Sequence, residues 1–236
     1  MTIHLLYLLL FITVIASGCS VLIFKVNNKT LKLILSFSGA YLLGITVLHL
    51  IPEVYSNTTT TTGIFVLLGF LLQIFIEYFS EGIEHGHIHI HKDAKGSFPV
   101  TIMMALSIHS FMEGMPLSGN YNETKQSLAT GIILHNLPIA IALMSMLIQS
   151  GLKKGWAIFW LIIFALMTPI GALTGNVLEE SIGFITHYEK HIMAVVVGIF
   201  LHVSTTILFE SSEHHRFHLI KLATILTGIA LSVYAI

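Results

Sequence analysis

Two histidines and one glutamate stand inside two consecutive apolar segments of the chain. His109 and Glu113 occur in S-I-H-S-F-M-E-G-M-P (residues 107–116), and His135 occurs in I-L-H-N-L-P-I-A (residues 133–140). Polar side chains are costly at the depth of a lipid bilayer, so those found there are candidates for function. Imidazole and carboxylate groups are ligands of borderline divalent cations such as Zn²⁺. The two segments therefore predict a membrane protein that handles metal.

The spacing of these residues favours one shared ion. His109 and Glu113 are four residues apart, which places both on one face of a helix with Cβ atoms about 6 Å apart. His135 supplies a third ligand if the next helix presents it to that face, and Ser110 and Asn136 are weaker oxygen donors beside the histidines. Three strong ligands with an exchangeable position suit an ion that must also leave. The alternative for each histidine is a hydrogen bond to another helix.

The composition shows which elements must position these residues. The chain has 236 residues, of which 55% are hydrophobic and only 10% are charged, whereas soluble domains carry about 25% charged residues. Apolar segments of about 20 residues recur along the chain, and each is long enough to span a bilayer. We predict an all-α integral membrane protein with a single transmembrane domain over residues 1–236. Its eight predicted helices are 4–24, 31–55, 63–83, 98–119, 126–150, 155–177, 190–210 and 218–236.

The basic residues lie mainly in alternate loops, which predicts the orientation in the membrane. The loops after helices 1, 3, 5 and 7 hold nine of the eleven Lys and Arg residues, and the other loops hold only Lys125 and Lys190. We therefore expect both termini outside and the loop at 84–97 in the cytoplasm. The net charge of −1 argues against a nucleic-acid partner. We expect helix 1 to be retained, and cleavage at Cys19 as in a lipoprotein is the alternative.

The loop at 84–97 is rich in histidine. Its sequence E-H-G-H-I-H-I-H-K-D alternates histidine with other residues, which places the imidazoles on one side of an extended segment. Histidine-rich tracts commonly bind metal, and a solvated polar loop is the alternative. The predicted loop ligands are His85, His87, His89 and His91.

Other polar residues predict a route for cations at different depths. His49 and Glu53 lie towards the outer end of helix 2, where they could recruit cations, and His202 lies near the middle of helix 7. Glu77 lies in the inner half of helix 3 and Glu210 near the inner end of helix 7. For Glu53 and Glu210, an ordinary carboxylate at the membrane interface is the alternative.

Three prolines lie near the candidate histidines: Pro52, Pro116 and Pro138. Each removes a backbone hydrogen bond to the carbonyl four residues earlier. Such carbonyls are tolerated in a membrane only where protein or a water-filled cavity receives them. We therefore predict helix breaks beside a cavity.

At these residues the chain resembles the ZIP (Zrt/Irt-like) metal transporters. The matching pieces are H-L-I-P-E at 49–53, H-S-F-M-E-G at 109–114, H-N-L-P at 135–138 and T-P-I-G-A-L-T-G at 168–175. The resemblance implies uptake of Zn²⁺, or of Fe²⁺, Mn²⁺ or Cd²⁺, into the cytoplasm by alternating access. It also implies that helices 4 and 5 are central between the inverted repeats formed by helices 1–3 and 6–8. Many members of the family are homodimers, so a homodimer is expected here. The metal is then a substrate, and no cofactor is expected. The expected location of the protein is the plasma membrane, or the inner membrane if the source is a bacterium.

The resemblance also assigns the ligands. His109, Glu113 and His135 match primary-site ligands, and Ser110 and Asn136 match positions of a neighbouring secondary site. We expect one metal at this centre, because the carboxylate that bridges two metals in the family is missing.

The missing carboxylate is the main departure from the family pattern. Ile139 and Ala140 stand where the family has Glu and Gly, and Asn136 stands where aspartate is common. Thr168 replaces a glutamate of some members, and Ile45 replaces a polar or sulfur ligand of some relatives.

The main rival function is an intramembrane metal-dependent hydrolase that uses the same site. Three ligands and an open position describe a catalytic zinc equally well. The sequence lacks the H-E-x-x-H motif that would supply a general base, however, so we do not expect an enzyme. A metal sensor or a binder without transport is the third interpretation.

Overall fold

The structure is a computed structural model, and it describes residues 3–24, 27–56, 60–85, 99–119, 122–182, 189–210 and 219–235. The helices of these ranges follow the predicted segments closely. They are α1 (Ile3–Ser20), α2 (Asn28–Tyr55), α3 (Thr60–Ser80), α4 (Val100–Leu117), α5 (Glu123–Gln149), α6 (Lys154–Ile182), α7 (Glu189–Glu210) and α8 (Leu219–Val233).

Seven of the described helices are long and apolar enough to cross a membrane. Helix α8 is also apolar, but its 15 residues extend only about 22 Å at the usual rise of an α-helix. The hydrocarbon core of a bilayer is about 30 Å thick. The prediction of an all-α membrane protein is confirmed, with α8 as its shortest helix among the described residues.

The helices pack in pairs that agree with an internal two-fold relationship. Helix α3 packs along α7 and α2 along α8, while α4 packs along α6 and α5 along α1. Exchanging helices 1–3 with 6–8, and 4 with 5, turns the first of these pairs into the second and the third into the fourth. This pattern is the one expected of two three-helix repeats around α4 and α5. Helix α5 is the most buried of the seven spans, which agrees with a central position.

The three prolines differ in their effect on the helices. Pro52 follows a π-helical turn, Thr46–Leu50, inside α2, and such turns often occur near functional sites. Pro116 lies in a 3₁₀ turn, Met115–Leu117, that ends α4. Pro138 lies inside α5, which continues on both sides. The predicted break at Pro138 is therefore wrong, since tertiary packing keeps the helix intact there.

The chain reverses its direction immediately after α3. Glu81 and Gly82 have φ angles of 54° and 71°, in the left-handed region that ends many helices. The following 3₁₀ turn, Ile83–His85, returns towards the bundle and contacts α5 and α7. The reversal buries both Ile83 and Glu84.

Glycines allow α4 and α6 to approach until their backbones touch. A Cβ atom added at Gly171 would lie 2.1 Å from the carbonyl oxygen of Phe111, and one added at Gly114 would lie 2.1 Å from that of Thr168. No side chain fits at such distances, so the small residues of the 168–175 motif serve close helix packing. The contact holds the helix that carries two of the three candidate ligands.

We expect Gly171→Ala to lower the stability by about 1–3 kcal/mol, because its methyl group must push α4 and α6 apart. Thermal unfolding of the purified protein in detergent measures the effect. Gly155→Ala is the matched control, since Gly155 is exposed near the start of α6 and a Cβ atom there meets nothing within 4 Å. Equal Tm values for the two variants would contradict this packing argument.

Candidate metal site

The three candidate ligands of the sequence meet in the interior of the bundle. Nε2 of His109 lies 3.0 Å from Oε1 of Glu113, and Nε2 of His135 lies 4.0 Å from the same oxygen. All three side chains are fully buried. One ligand atom from each of the three residues lies within 4.8 Å of the other two, close enough to hold one ion. Within the described part of the chain, no other group of three His, Cys, Asp or Glu residues does so.

The geometry suits a tetrahedral cation. Two ligands bound tetrahedrally to Zn²⁺ at about 2.0–2.1 Å lie roughly 3.3 Å apart, and the two distances to Glu113 Oε1 bracket that value. Among the described residues, neither the oxygens of Glu113 nor Nε2 of His109 makes a hydrogen bond of good geometry. Polar atoms buried in this way are rare unless something else binds them. A cation between the ligands would satisfy them.

Asn136 and Ser110 differ in their relation to this cluster. Both side chains are buried, and neither Asn136 Oδ1 nor Ser110 Oγ has a hydrogen-bond partner in the described residues. Asn136 interacts with the carboxylate of Glu113, so it lies at the edge of the cluster. Ser110 follows His109 and Asn136 follows His135, so each side chain points about 100° away from the neighbouring histidine around its helix. The interaction with Glu113 makes Asn136 the better placed of the two weaker donors.

Apolar side chains occupy the two positions at which the family resemblance implies a second carboxylate and a polar or sulfur ligand. Ile139 is fully buried one turn after His135, on the same face of α5. Ile45 is also fully buried, and its Cδ1 would lie 2.2 Å from a Cβ atom at Gly131 of α5. These residues leave Glu113 as the single carboxylate of the cluster.

Two polar residues that the sequence did not predict as part of the site lie behind His109. Oε1 of Gln73 on α3 accepts a hydrogen bond from Nδ1 of His109 at 2.9 Å. The amide nitrogen of Gln73 donates to Oε2 of Glu84 at 3.1 Å. Gln73 and Glu84 are fully buried. In the sequence, Glu84 belongs to the hydrophilic loop. The signal that could have predicted its burial is Glu81-Gly82 directly before the apolar Ile83, because glycine favours a left-handed turn that ends a helix.

The other predicted polar residues do not join the cluster. Glu77 on α3 and His202 on α7 contact each other through Oε2 and Nε2, and Phe70 packs its ring against His202 at 5.0 Å. Nε2 of His49 donates to the carbonyl oxygen of Ser232 on α8 at 3.0 Å.

The remaining predicted site residues lie at helix ends or beyond the description. Glu53 is exposed near the end of α2. Glu210 ends α7, but its side chain lies outside the described residues. The side chain of His85 and the whole of His87, His89 and His91 also lie outside them, so metal binding by the loop stays a prediction.

Comparison with known proteins shows to which family the chain belongs. A family model described as ZIP zinc transporter matches residues 98–234, which is more than half of the chain. The chain belongs to the ZIP zinc transporter family. The matched ZIP region contains all three residues of the cluster, whereas Gln73 and Glu84 precede it.

Curated relatives of the ZIP family align with parts of the chain. Zinc transporter ZIP1 of Danio rerio is 31% identical over 103 residues, 43% of this chain and 34% of that protein. Zinc transporter ZIP2 of Homo sapiens is 28% identical over 128 residues, 51% of this chain and 40% of that protein. Zinc transporter ZIP9 of Xenopus tropicalis is 26% identical over 124 residues, 49% of this chain and 40% of that protein. The chain thus spans less than half the length of the curated relatives it matches.

Proposed function

We propose that this protein transports a divalent cation, most favourably Zn²⁺, across a membrane, with one ion bound by His109, Glu113 and His135. The observation that carries the proposal is the convergence of three fully buried ligands between two helices of a membrane-spanning bundle. Membership of the ZIP family supports transport as the use of this site. Fe²⁺, Mn²⁺ and Cd²⁺ are further candidate substrates.

The ligand set bears on how strongly the ion is held. Two neutral imidazoles and one carboxylate give a net ligand charge of −1, so selection depends more on imidazole than on electrostatic attraction. Asn136 or water would complete the coordination. Three protein ligands with an exchangeable fourth position are suited to release of the ion on the other side.

The proposed transport mechanism is alternating access. Helices α4 and α5 carry the site, and movement of the surrounding helices against them would open it to one side at a time. We place entry near His49 and Glu53 on the outer side. Exit would pass the Glu77–His202 pair towards Glu210 and the histidine-rich loop at 84–97, which would bind the ion on the cytoplasmic side.

The proposed setting is a plasma membrane, or the inner membrane if the source is bacterial, with both termini outside. We treat residues 1–236 as one transmembrane transporter domain and a homodimer as its assembly. The lipid bilayer is then its other partner, because the outward faces of the spanning helices carry large exposed apolar side chains.

Uptake of metal by proteoliposomes that contain the purified protein tests the proposal. We expect Zn²⁺ to accumulate inside these vesicles and not in vesicles without protein. Loss of uptake in His109→Ala and His135→Ala vesicles would tie the flux to this site. Robust Zn²⁺ binding without any flux would contradict transport, and would favour the rival hydrolase or a metal sensor.

A further inference from the structure

We propose that Gln73 and Glu84 are positioning residues of the metal site: they orient His109 towards the ion and supply a second negative charge. The inference rests on the proposed function, since the ion is the one bound by His109, Glu113 and His135. Neither residue belongs to the ligand cluster itself, and both lie before the region that matches the family.

The direction of each hydrogen bond follows from the chemistry of Glu84. An ionised carboxylate only accepts hydrogen bonds, so the group of Gln73 that faces Glu84 must be its amide NH₂. The carbonyl oxygen of Gln73 then faces His109, and it can only accept. His109 must therefore carry its proton on Nδ1 and donate it to Gln73.

The tautomer of His109 decides what its other nitrogen can do. With the proton on Nδ1, neutral His109 presents a lone pair on Nε2, which lies 3.0 Å from Oε1 of Glu113. Two electron-pair donors at this distance repel each other unless a proton or a metal cation lies between them, and the metal takes the place of the proton when it binds. A hydrogen bond at the outer nitrogen is also the usual way in which proteins orient an imidazole for a metal. Gln73 thus prepares His109 as a ligand.

Glu84 is placed to add charge as well as orientation. Burial of a carboxylate away from water is costly unless hydrogen bonds or an opposite charge offset it. The Glu84 side chain is 0% exposed, and the amide of Gln73 alone separates it from His109. Together with Glu113 it makes two negative charges for one divalent cation. Glu84 thereby supplies charge that a carboxylate at position 139 would otherwise add.

The fold brings Glu84 to this place through the reversal after α3. Ser80 ends the helix, and the left-handed residues Glu81 and Gly82 turn the chain back so that the next two side chains enter the bundle. Ile83 is 1% exposed and packs in the hydrophobic core. Glu84 is therefore held by the packing of Ile83 and reaches Gln73, which lies 11 positions earlier in the chain.

We call the chain of hydrogen bonds from Glu84 through Gln73 to His109 the relay. Affinity for Zn²⁺, measured on the purified full chain by competition with a chelating indicator, tests it. We expect Glu84→Gln to weaken Zn²⁺ binding by about tenfold or more, as is typical when a group that orients a metal ligand is lost. Gln73→Leu should weaken it at least as much. The absorption spectrum of bound Co²⁺ should change in both variants, because Gln73→Leu removes the hydrogen bond to Nδ1 of His109 and Glu84→Gln no longer fixes which way the amide of Gln73 faces.

The double variant Gln73→Glu with Glu84→Gln is the decisive test of the relay. It exchanges the two groups, so that Gln at position 84 donates to Glu at position 73, which still accepts from Nδ1 of His109. Both hydrogen bonds and the total charge are kept, and we expect most of the affinity and the parental Co²⁺ spectrum to return. A purely structural role of Glu84 would give no such rescue.

Glu81→Gln is the matched control, because it removes an exposed carboxylate from the same turn and should bind Zn²⁺ like the parent. The relay is refuted if Glu84→Gln binds as tightly as the parent, or if the double variant binds as weakly as Glu84→Gln. A parent protein that binds no Zn²⁺ would overturn the proposed function as well. A parent that binds Zn²⁺ with unaffected variants would overturn the relay alone.

Discussion

His109→Ala, His135→Ala and Glu113→Gln are each expected to weaken Zn²⁺ binding by more than about 100-fold, beyond what loss of a residue behind a ligand costs. Each removes one of three convergent ligands in a site closed to bulk water. Glu113→Gln has the largest expected effect, because it also removes the single charge that contacts the ion directly. Isothermal titration of the purified protein measures both affinity and stoichiometry.

His191→Ala is the control for this series. His191 is a partly buried histidine of α7 that packs on Phe65 with ring centroids 4.4 Å apart, away from the cluster. We expect it to bind Zn²⁺ like the parent. Parental affinity in any of the three ligand variants would show that the cluster is not the principal binding site.

Ile139→Glu is expected to change the number of ions bound from one to two. Position 139 lies one turn after His135 on the same face, so a carboxylate there would face the cluster and could bridge two cations. In the absence of metal the new charge would be buried beside the like charge of Glu113, which costs several kcal/mol. The variant should therefore melt at a lower temperature than the parent without metal, and Zn²⁺ should raise its Tm more than that of the parent.

Ile139→Gln separates the charge from the change of shape. It places a neutral amide of the same size at the position, so we expect no second ion and a smaller response of Tm to Zn²⁺. If Ile139→Glu keeps the parental stoichiometry and affinity, the missing carboxylate does not explain binding of one metal.

Local sequence determined the helices and the pairing of two ligands. Each span is an apolar segment whose length must match the bilayer, so its position can be found without knowledge of its neighbours. Asn27 and Asn122 mark the starts of α2 and α5, since each side chain accepts a hydrogen bond from a backbone N–H of the first turn. The spacing of His109 and Glu113 placed them on one helix face in advance, because the helical repeat alone sets which residues are neighbours.

Which helix faces meet was decided only by the tertiary structure. His135 joins the other two ligands because α4 and α5 turn those faces towards each other, and Glu77 pairs with His202 because α3 packs along α7. The sequence contains the residue types but not the rotation of each helix about its axis, since apolar residues surround most of these helices and define no single inner face. The contact of Glu84 with Gln73 depends further on two left-handed residues that turn a hydrophilic segment inwards. Sequence alone therefore predicted a metal site on two helices, whereas the groups that orient and charge it became visible only once the bundle was assembled.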